Sequence, residues 1–388
     1  MMKYHKEISD AVEQASARME AIGRAVYEHP ETGHEEHFAC SRQTGQLRED
    51  GWNVTTPFCN LETAYCAEYS NGEGPSVGIC SEYDALPVIG HACGHHLIMT
   101  AALLAATAVR EVMKTHGIAG TVKLFGTPAE EELGGKIDMI AEHAFDGLAA
   151  VLICHPFSQD GIDPGNMAVS RYDVVFHGQA SHAAASPELG INALDAVNLL
   201  FAGLAAWRQQ FAAGDRVHGI ITEGGIAANI IPDRTGAFFY VRSLDNARHK
   251  EMEKRFADIV KGAALMTGCT FELQRRRNPY AANRRNPALE KVYIEEAKEF
   301  GLHPEELTNH VSTDFADVTQ VVPGANFFFN VLQEGQCFGL HSELFRDNSI
   351  SPEAWQAVRK IAKTMAATAL IVLTDETVRD AILNSHLS

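Results

Sequence analysis

From Ile8 to Val26 apolar side chains recur every third or fourth residue (Ile8, Val12, Ala15, Met19, Ile22, Val26), and Pro30 follows shortly after. This spacing predicts an amphipathic helix from Ile8 to Tyr27 that stops before the proline. Ala64 to Tyr69 and Ser76 to Tyr83 are β-rich runs. They precede a helix that begins near Gly94 and is apolar on nearly every face through LIMTAALLAATAV; such a helix is expected to be buried. A strand from Thr121 to Gly126, a helix from Lys136 to His143 and a strand from Ala150 to Cys154 come next. Strands alternating with helices imply crossovers and a mostly parallel sheet covered on both faces. Ligands of such sheets bind beyond the carboxyl ends of the strands, and Glu130, Glu131 and His155 each follow such an end.

After Pro164 the pattern changes to a strand at Tyr172 to His177, a helix at Asn192 to Gln210, strands at Gly219 to Thr222 and Thr235 to Arg242, a helix at Asn246 to Leu265 and a strand at Thr270 to Gln274. This βαββαβ order over about 110 residues makes an inserted domain of ordinary size. Long helices at Leu289 to Phe300 and Pro352 to Leu373, around a strand at Gly324 to Val331, then complete the first domain. The expected fold is therefore α/β. A mostly parallel mixed sheet flanked by helices occupies 1–169 and 280–388, and an inserted α+β domain occupies 170–279.

Composition narrows the class. At 388 residues with 46% apolar content the chain exceeds one usual core and is not disordered. Fifty acids against 32 bases give a formal charge of −18 and no phosphate-tracking patch, which excludes nucleic acid as an expected partner. The densest basic run, Arg275 to Arg277 with Arg284 and Arg285, reads as a solvated connector among Asn278, Pro279 and Asn283. The start, Met1 to Glu7, is charged, and Leu97 to Val109 is short of the ~20 apolar residues that span a bilayer, so no membrane association is expected. Eight irregularly spaced cysteines suit reduced thiols or metal ligands, and the location expected is cytoplasmic.

Candidate chemistry gathers at four places. In Gly90-His91-Ala92-Cys93-Gly94-His95-His96, thiolate and imidazole donors crowd one turn. They suit zinc and related metals, although a polar loop would carry the same residues. In Gly126-Thr127-Pro128-Ala129-Glu130-Glu131-Glu132 a strand ends in three carboxylates, either a solvated acidic loop or one metal ligand beside one proton acceptor. His155 after VLIC and His341 in CFGLHSE complete a Cys, His, Glu, His, His set fit for two cations. A rival use is Cys93 as a nucleophile activated by an adjacent histidine, a scheme that leaves three carboxylates without a task.

In this order the clusters resemble the metallopeptidase and amidohydrolase family of aminoacylase, glutamate carboxypeptidase and indoleacetyl-amino-acid hydrolase. The likeness also rests on Tyr83-Asp84-Ala85-Leu86-Pro87, Ala180-Ser181-His182-Ala183, Asn192-Ala193-Leu194-Asp195, Asn229 to Asp233 and His341-Ser342-Glu343. Ser312-Thr313-Asp314 with Asp317-Val318 looks closest to the p-aminobenzoyl-glutamate hydrolase and dipeptidase-like aminoacylase branches. The resemblance implies Cys93, His95, Glu131, His155 and His341 as ligands of two divalent cations, zinc or manganese, with cobalt or nickel as alternatives. It implies Glu130 as general base, Asp84 as the partner that fixes a ligand, and His182 as the residue that reaches a partner's site to stabilise the oxyanion. Asn229 and Arg242 would hold a substrate carboxylate, and the inserted domain would be a lid that makes a homodimer. The implied reaction is hydrolysis of an N-acyl amino acid, aminobenzoyl-glutamate-like conjugate or dipeptide by a bridging hydroxide. Hydrolytic deamination of an aromatic amine and a non-catalytic metal-binding role are the alternatives. Two departures stand out: His96 replaces the usual Asp or Asn, and Glu132-Leu133 interrupts a stretch that is normally glycine.

Overall fold

The computed structural model describes residues 4–276, 278–308, 310–333 and 335–387; Arg277 of the basic run and the first three residues of the charged start lie outside them. The chain divides into two compact units, Met1–Pro164 with Asn283–Ser388, and Gly165–Ala282.

The first unit opens with α1 (His5–Glu28), whose apolar positions Ile8, Val12, Ala15, Met19, Ile22 and Val26 are all buried. Helix α2 (His37–Glu49) has no counterpart in the hydrophobic pattern. Its first turn is satisfied from a distance, by the Glu31 carboxylate accepting from Phe38 N at 2.9 Å and Ala39 N at 3.0 Å, so no capping residue announces it. The chain continues through β1 (Asn53–Thr55), β2 (Tyr65–Ser70), β3 (Ser76–Ser81), α3 (His95–His116), β4 (Thr121–Gly126), α4 (Gly135–Ala141), β5 (Ala150–Phe157) and β6 (Gly161–Ile162). Strand β5 outruns its predicted end, so His155 lies within the strand and not after it.

Beyond the second unit, which supplies β7 (Ala168–His177), α5 (Ala193–Trp207), β8 (Arg216–Glu223), β9 (Arg234–Ser243), α6 (Asn246–Thr267) and β10 (Thr270–Arg275), the first unit resumes with α7 (Pro287–Glu299), β11 (Glu305–Glu306), α8 (Phe315–Val321), β12 (Gly324–Asn330), α9 (Glu343–Asn348), α10 (Pro352–Thr374) and α11 (Glu376–Leu387). Its sheet runs β1-β2-β4-β3-β5-β12-β6-β11. The four central strands are parallel, while β1, β2 and the β12–β6 pair are antiparallel. The carboxyl ends of β3, β4, β5 and β12 therefore share one edge of the sheet. Along β5, Ala150, Leu152 and Cys154 enter a core built with α1, α3 and α10, whereas Val151 and Ile153 enter a second core with Met139 and Phe315. Burial on both faces explains the unbroken apolar run. Helix α3 is apolar enough to cross a membrane by composition, yet 89% of its most apolar window is buried within the protein.

In the second unit β7 (Ala168–His177), α5 (Ala193–Trp207), β8 (Arg216–Glu223), β9 (Arg234–Ser243), α6 (Asn246–Thr267) and β10 (Thr270–Arg275) follow the βαββαβ order. The strands form an antiparallel sheet, β10-β7-β9-β8. Ala237, Phe239 and Val241 of β9 join Val197, Leu200, Met252 and Phe256 of α5 and α6 in a separate core.

Candidate active site

Cys93 and His95 flank Gly94, the cap of α3. Its φ is +77°, and a Cβ there would lie 2.5 Å from Pro156 Cγ. Only glycine accepts both conditions, so this turn sets the positions of its two buried neighbours, Cys93 and His95. His95 is fully buried, and its Nδ1 lies 2.9 Å from Asp84 Oδ1. The other Asp84 oxygen accepts from Glu131 N at 3.0 Å. One carboxylate thus holds the His95 ring and the glutamate loop together, and fixes the direction in which His95 Nε2 points.

The glutamate loop takes its shape from a second buried acid. Ala129 has a φ of +61°, and its N–H donates to Glu36 Oε1 at 2.8 Å, while Thr63 donates to Glu36 Oε2 at 2.8 Å. With Ala129 so held, Glu130 turns inward, Glu131 follows it, and Glu132 is exposed. Of the three consecutive carboxylates, two thus turn toward the interior and the third toward solvent. His155 Nδ1 lies 2.9 Å from Asn326 Oδ1 on β12, and the loop before α9 brings in His341, whose N–H donates to Ala92 O at 3.0 Å.

The side chains converge. His95 Nε2 is 3.8 Å from Glu130 Oε2 and 3.7 Å from Glu131 Oε1, and His341 Nε2 is 3.5 Å from Glu131 Oε2. The donor atoms of Cys93, Glu131 and His341 lie within 4.8 Å of one another, as do those of His95, Glu130 and Glu131 and those of Glu82, His95 and His155. His95 Nε2 and Glu131 Oε1 are buried without a well-formed hydrogen bond among the described residues. Buried acceptors aimed at one another fit divalent cations, and the mix of thiol, imidazole and carboxylate suits zinc-like metals.

Electrostatics agree. Burial raises Glu130, and Glu82 and Glu131 raise it further, holding it well above the usual carboxylate range. Burial and then Glu131 push the Cys93 thiol up, which disfavours an uncoordinated thiolate nucleophile, whereas a bound cation would supply the missing charge. Burial acts to lower His95, but Asp84 and Cys93 outweigh it and hold the ring well above its ordinary value.

Comparison with known proteins settles the class. The sequence profile of peptidase family M20/M25/M40 matches residues 79–367. The mouse Xaa-Arg dipeptidase is 35% identical over 385 residues, 95% of this chain and 88% of that protein. A p-aminobenzoyl-glutamate hydrolase chain of Escherichia coli is 32% identical, with 91% of this chain and 78% of that one covered. The chain belongs to peptidase family M20/M25/M40. It is a metal-dependent hydrolase of amide bonds. Solved structures share its fold. An aminobenzoyl-glutamate utilization protein from Klebsiella pneumoniae superposes with a TM-score of 0.76 at 20% identity, over 95% of this chain and 99% of that one. A dinuclear metal-binding M20 peptidase from Bacillus subtilis does so with 0.73 at 19%, over 94% and 99%.

Within this M20 chain His96, which stands where Asp or Asn is usual, joins none of the possible ligand groups among the described residues. One residue beyond His95 on α3, it packs against Tyr27 and Trp355, with Nε2 3.3 Å from Ser349 O. Burial and His91 push it well below its ordinary pKa, so it stays neutral. His182, Asn229 and Arg242 belong to the second unit. The His182 and Asn229 loops are tied by a bridge from His182 to Ile230 and by Ala183 N donating to Asn229 O at 3.0 Å. Arg242 is half-buried on β9, its guanidinium 5.1 Å from the Tyr240 ring.

Sequence reasoning missed Glu82, Lys136, Asp314, Asn326 and Glu36. Glu82 carried a signal, a carboxylate directly after the apolar run of β3; Asp314 stood only within the Ser312-Thr313-Asp314 likeness with no role attached, and Lys136 carried none, since it reads as an ordinary surface charge at a helix start.

Proposed function

We propose that this M20 hydrolase cleaves the amide bond of a small N-acyl amino acid, dipeptide or aminobenzoyl-glutamate-like conjugate, with two divalent cations held by Cys93, His95, Glu131, His155 and His341. The observation that carries this reading is the convergence of these donors, with Glu130 Oε2 3.8 Å from His95 Nε2. The names of the dipeptidase and aminobenzoyl-glutamate relatives support the substrate class. Zinc or manganese is the resident metal in this reading, with cobalt or nickel able to replace it.

Bound cations would acidify a water and polarise the substrate carbonyl. Glu130, turned into the site beside His95 Nε2, takes the proton from water and delivers it to the leaving amine; bound cations would offset the burial and neighbouring acids that otherwise favour its protonated form. Asp84 keeps His95 oriented throughout. His182 Nδ1 accepts from Ala184 N at 3.2 Å and Ala185 N at 3.0 Å. With Nδ1 an acceptor, Nε2 carries the ring proton, a preorganised donor for the tetrahedral oxyanion, supplied by the partner of a homodimer. Arg242, with Asn229, receives the substrate carboxylate. The dimer reading is supported by β8, an edge strand with Ile220 62% exposed. Work in the cytoplasm is supported by eight cysteines without a disulfide.

The test is the full chain, metal-depleted and reloaded with zinc or manganese, assayed by mass against dipeptides, N-acyl amino acids and aminobenzoyl-glutamate. Release of the amine product is expected. Inactivity across the panel, with ammonia set free from an aromatic amine, would replace this reading with deamination. Glu130→Gln should lower turnover about 10²- to 10⁴-fold at unchanged metal content; near-normal turnover would remove Glu130 as base.

A further inference from the structure

Glu82 sits directly after β3 and is completely buried. Its Oε1 lies 2.6 Å from Lys136 Nζ, and Lys136, also completely buried, reaches Asp314 Oδ1 at 2.6 Å. An ion pair this deep is costly unless every charge is matched. Lys136 accounts for Glu82 Oε1 and for Asp314.

The second oxygen of Glu82 has a different environment. Oε2 lies 3.2 Å from His155 Nε2 and 3.7 Å from His95 Nε2. Both rings spend Nδ1 on a fixed acceptor, Asn326 Oδ1 and Asp84 Oδ1 respectively. With Nδ1 so committed, each ring turns Nε2 toward Glu82 Oε2. Three atoms that can each ligate a metal thus meet at one buried point, within 4.8 Å of one another, where a divalent cation would satisfy all three at once. The neighbouring group of Glu82, Glu130 and Asp314, equally compact, is a different case, because the Lys136 ammonium already serves it.

We propose that Glu82 is a further protein ligand of the cation held by His95 and His155, and that Lys136, braced by Asp314, is the positioning residue that aims it. The proposal rests on the two-cation reading above. It divides the donors evenly, with Cys93, Glu131 and His341 on one cation and Glu82, His95 and His155 on the other. Three protein ligands with an open position is the usual form of a catalytic zinc site.

The experiment is a cobalt titration of the metal-depleted full chain. Bound metal is counted after dialysis, and absorption separates the thiolate charge-transfer band of the Cys93 cation from the ligand-field bands. Wild-type protein should take two equivalents. Glu82→Gln should weaken one of them by about tenfold or more and alter the ligand-field bands while the thiolate band persists. Two equivalents of wild-type affinity with unchanged bands would overturn the proposal. If the metal-free variant fails to fold by circular dichroism, Glu82→Asp takes its place. It keeps the charge beside Lys136, withdraws the carboxylate by one methylene, and should show the same loss. Lys136→Met removes a positive charge, which by itself would tighten cation binding; as a positioning residue its loss should weaken the same equivalent, and tighter binding would overturn that role. Wild-type protein that takes fewer than two equivalents would instead overturn the two-cation reading.

Discussion

A carboxylate that accepts two hydrogen bonds ordinarily ionises easily, but Glu36 does not. Burial, and then the nearby Asp84, push it from 4.5 up to about 7 despite the bonds from Thr63 and Ala129. Between those values the folded chain keeps a proton that the unfolded chain releases. Stability contributed by this group is therefore complete below about pH 4.5 and falls as pH rises to about 7. Glu36→Gln should flatten that portion of the stability profile, worth up to roughly 3 kcal/mol. Urea unfolding of the two proteins across this window measures it, and a difference that does not vary with pH would show that Glu36 does not titrate there. The same residue illustrates what was hidden at this scale. Three consecutive glutamates look alike in a sequence; Glu36 and Asp84, bound to the backbone of Ala129 and Glu131, decide which of them face inward.

The start of α3 concentrates several demands on one element. Gly94 must hold a positive φ, clear Pro156 and keep Cys93 and His95 on either side. Gly94→Ala adds a left-handed alanine, about 1–2 kcal/mol, and a clash that a packed site relieves only by moving, about 1–3 kcal/mol. Chemical unfolding should show a loss of roughly 2 kcal/mol or more, and metal affinity should fall with it because both flanking ligands shift. Unchanged affinity would mean the turn is not what positions them. The long elements α1, α3, α5, α6 and α10 were legible from periodicity, since each buries a broad apolar stripe. Helix α2 was not, because its N-terminus is satisfied by Glu31 from outside the helix.

At the scale of the molecule, each unit has its own apolar core, and the second ends its sheet on β8. The proposed homodimer uses that edge, where Ile220 and Ile221 are 62% and 43% exposed. Ile220→Lys should give a monomer in sedimentation equilibrium with unchanged thermal unfolding of the second unit, since Ala237, Phe239 and Val241 pack on the opposite face. A variant that remains dimeric would move the interface elsewhere. The layers, the inserted βαββαβ order and the residue types of a metal hydrolase were legible along the chain, because periodicity, chain order and ligand chemistry are local properties. Tertiary structure alone decided that strand ends β3, β4 and β5 bring Glu82, Glu131 and His155 to one place, that His96 turns away toward Trp355, and that a buried Lys136 stands between Glu82 and Asp314. Those facts depend on which distant strands become neighbours and on what burial does to a charge, and neither is written at any single position.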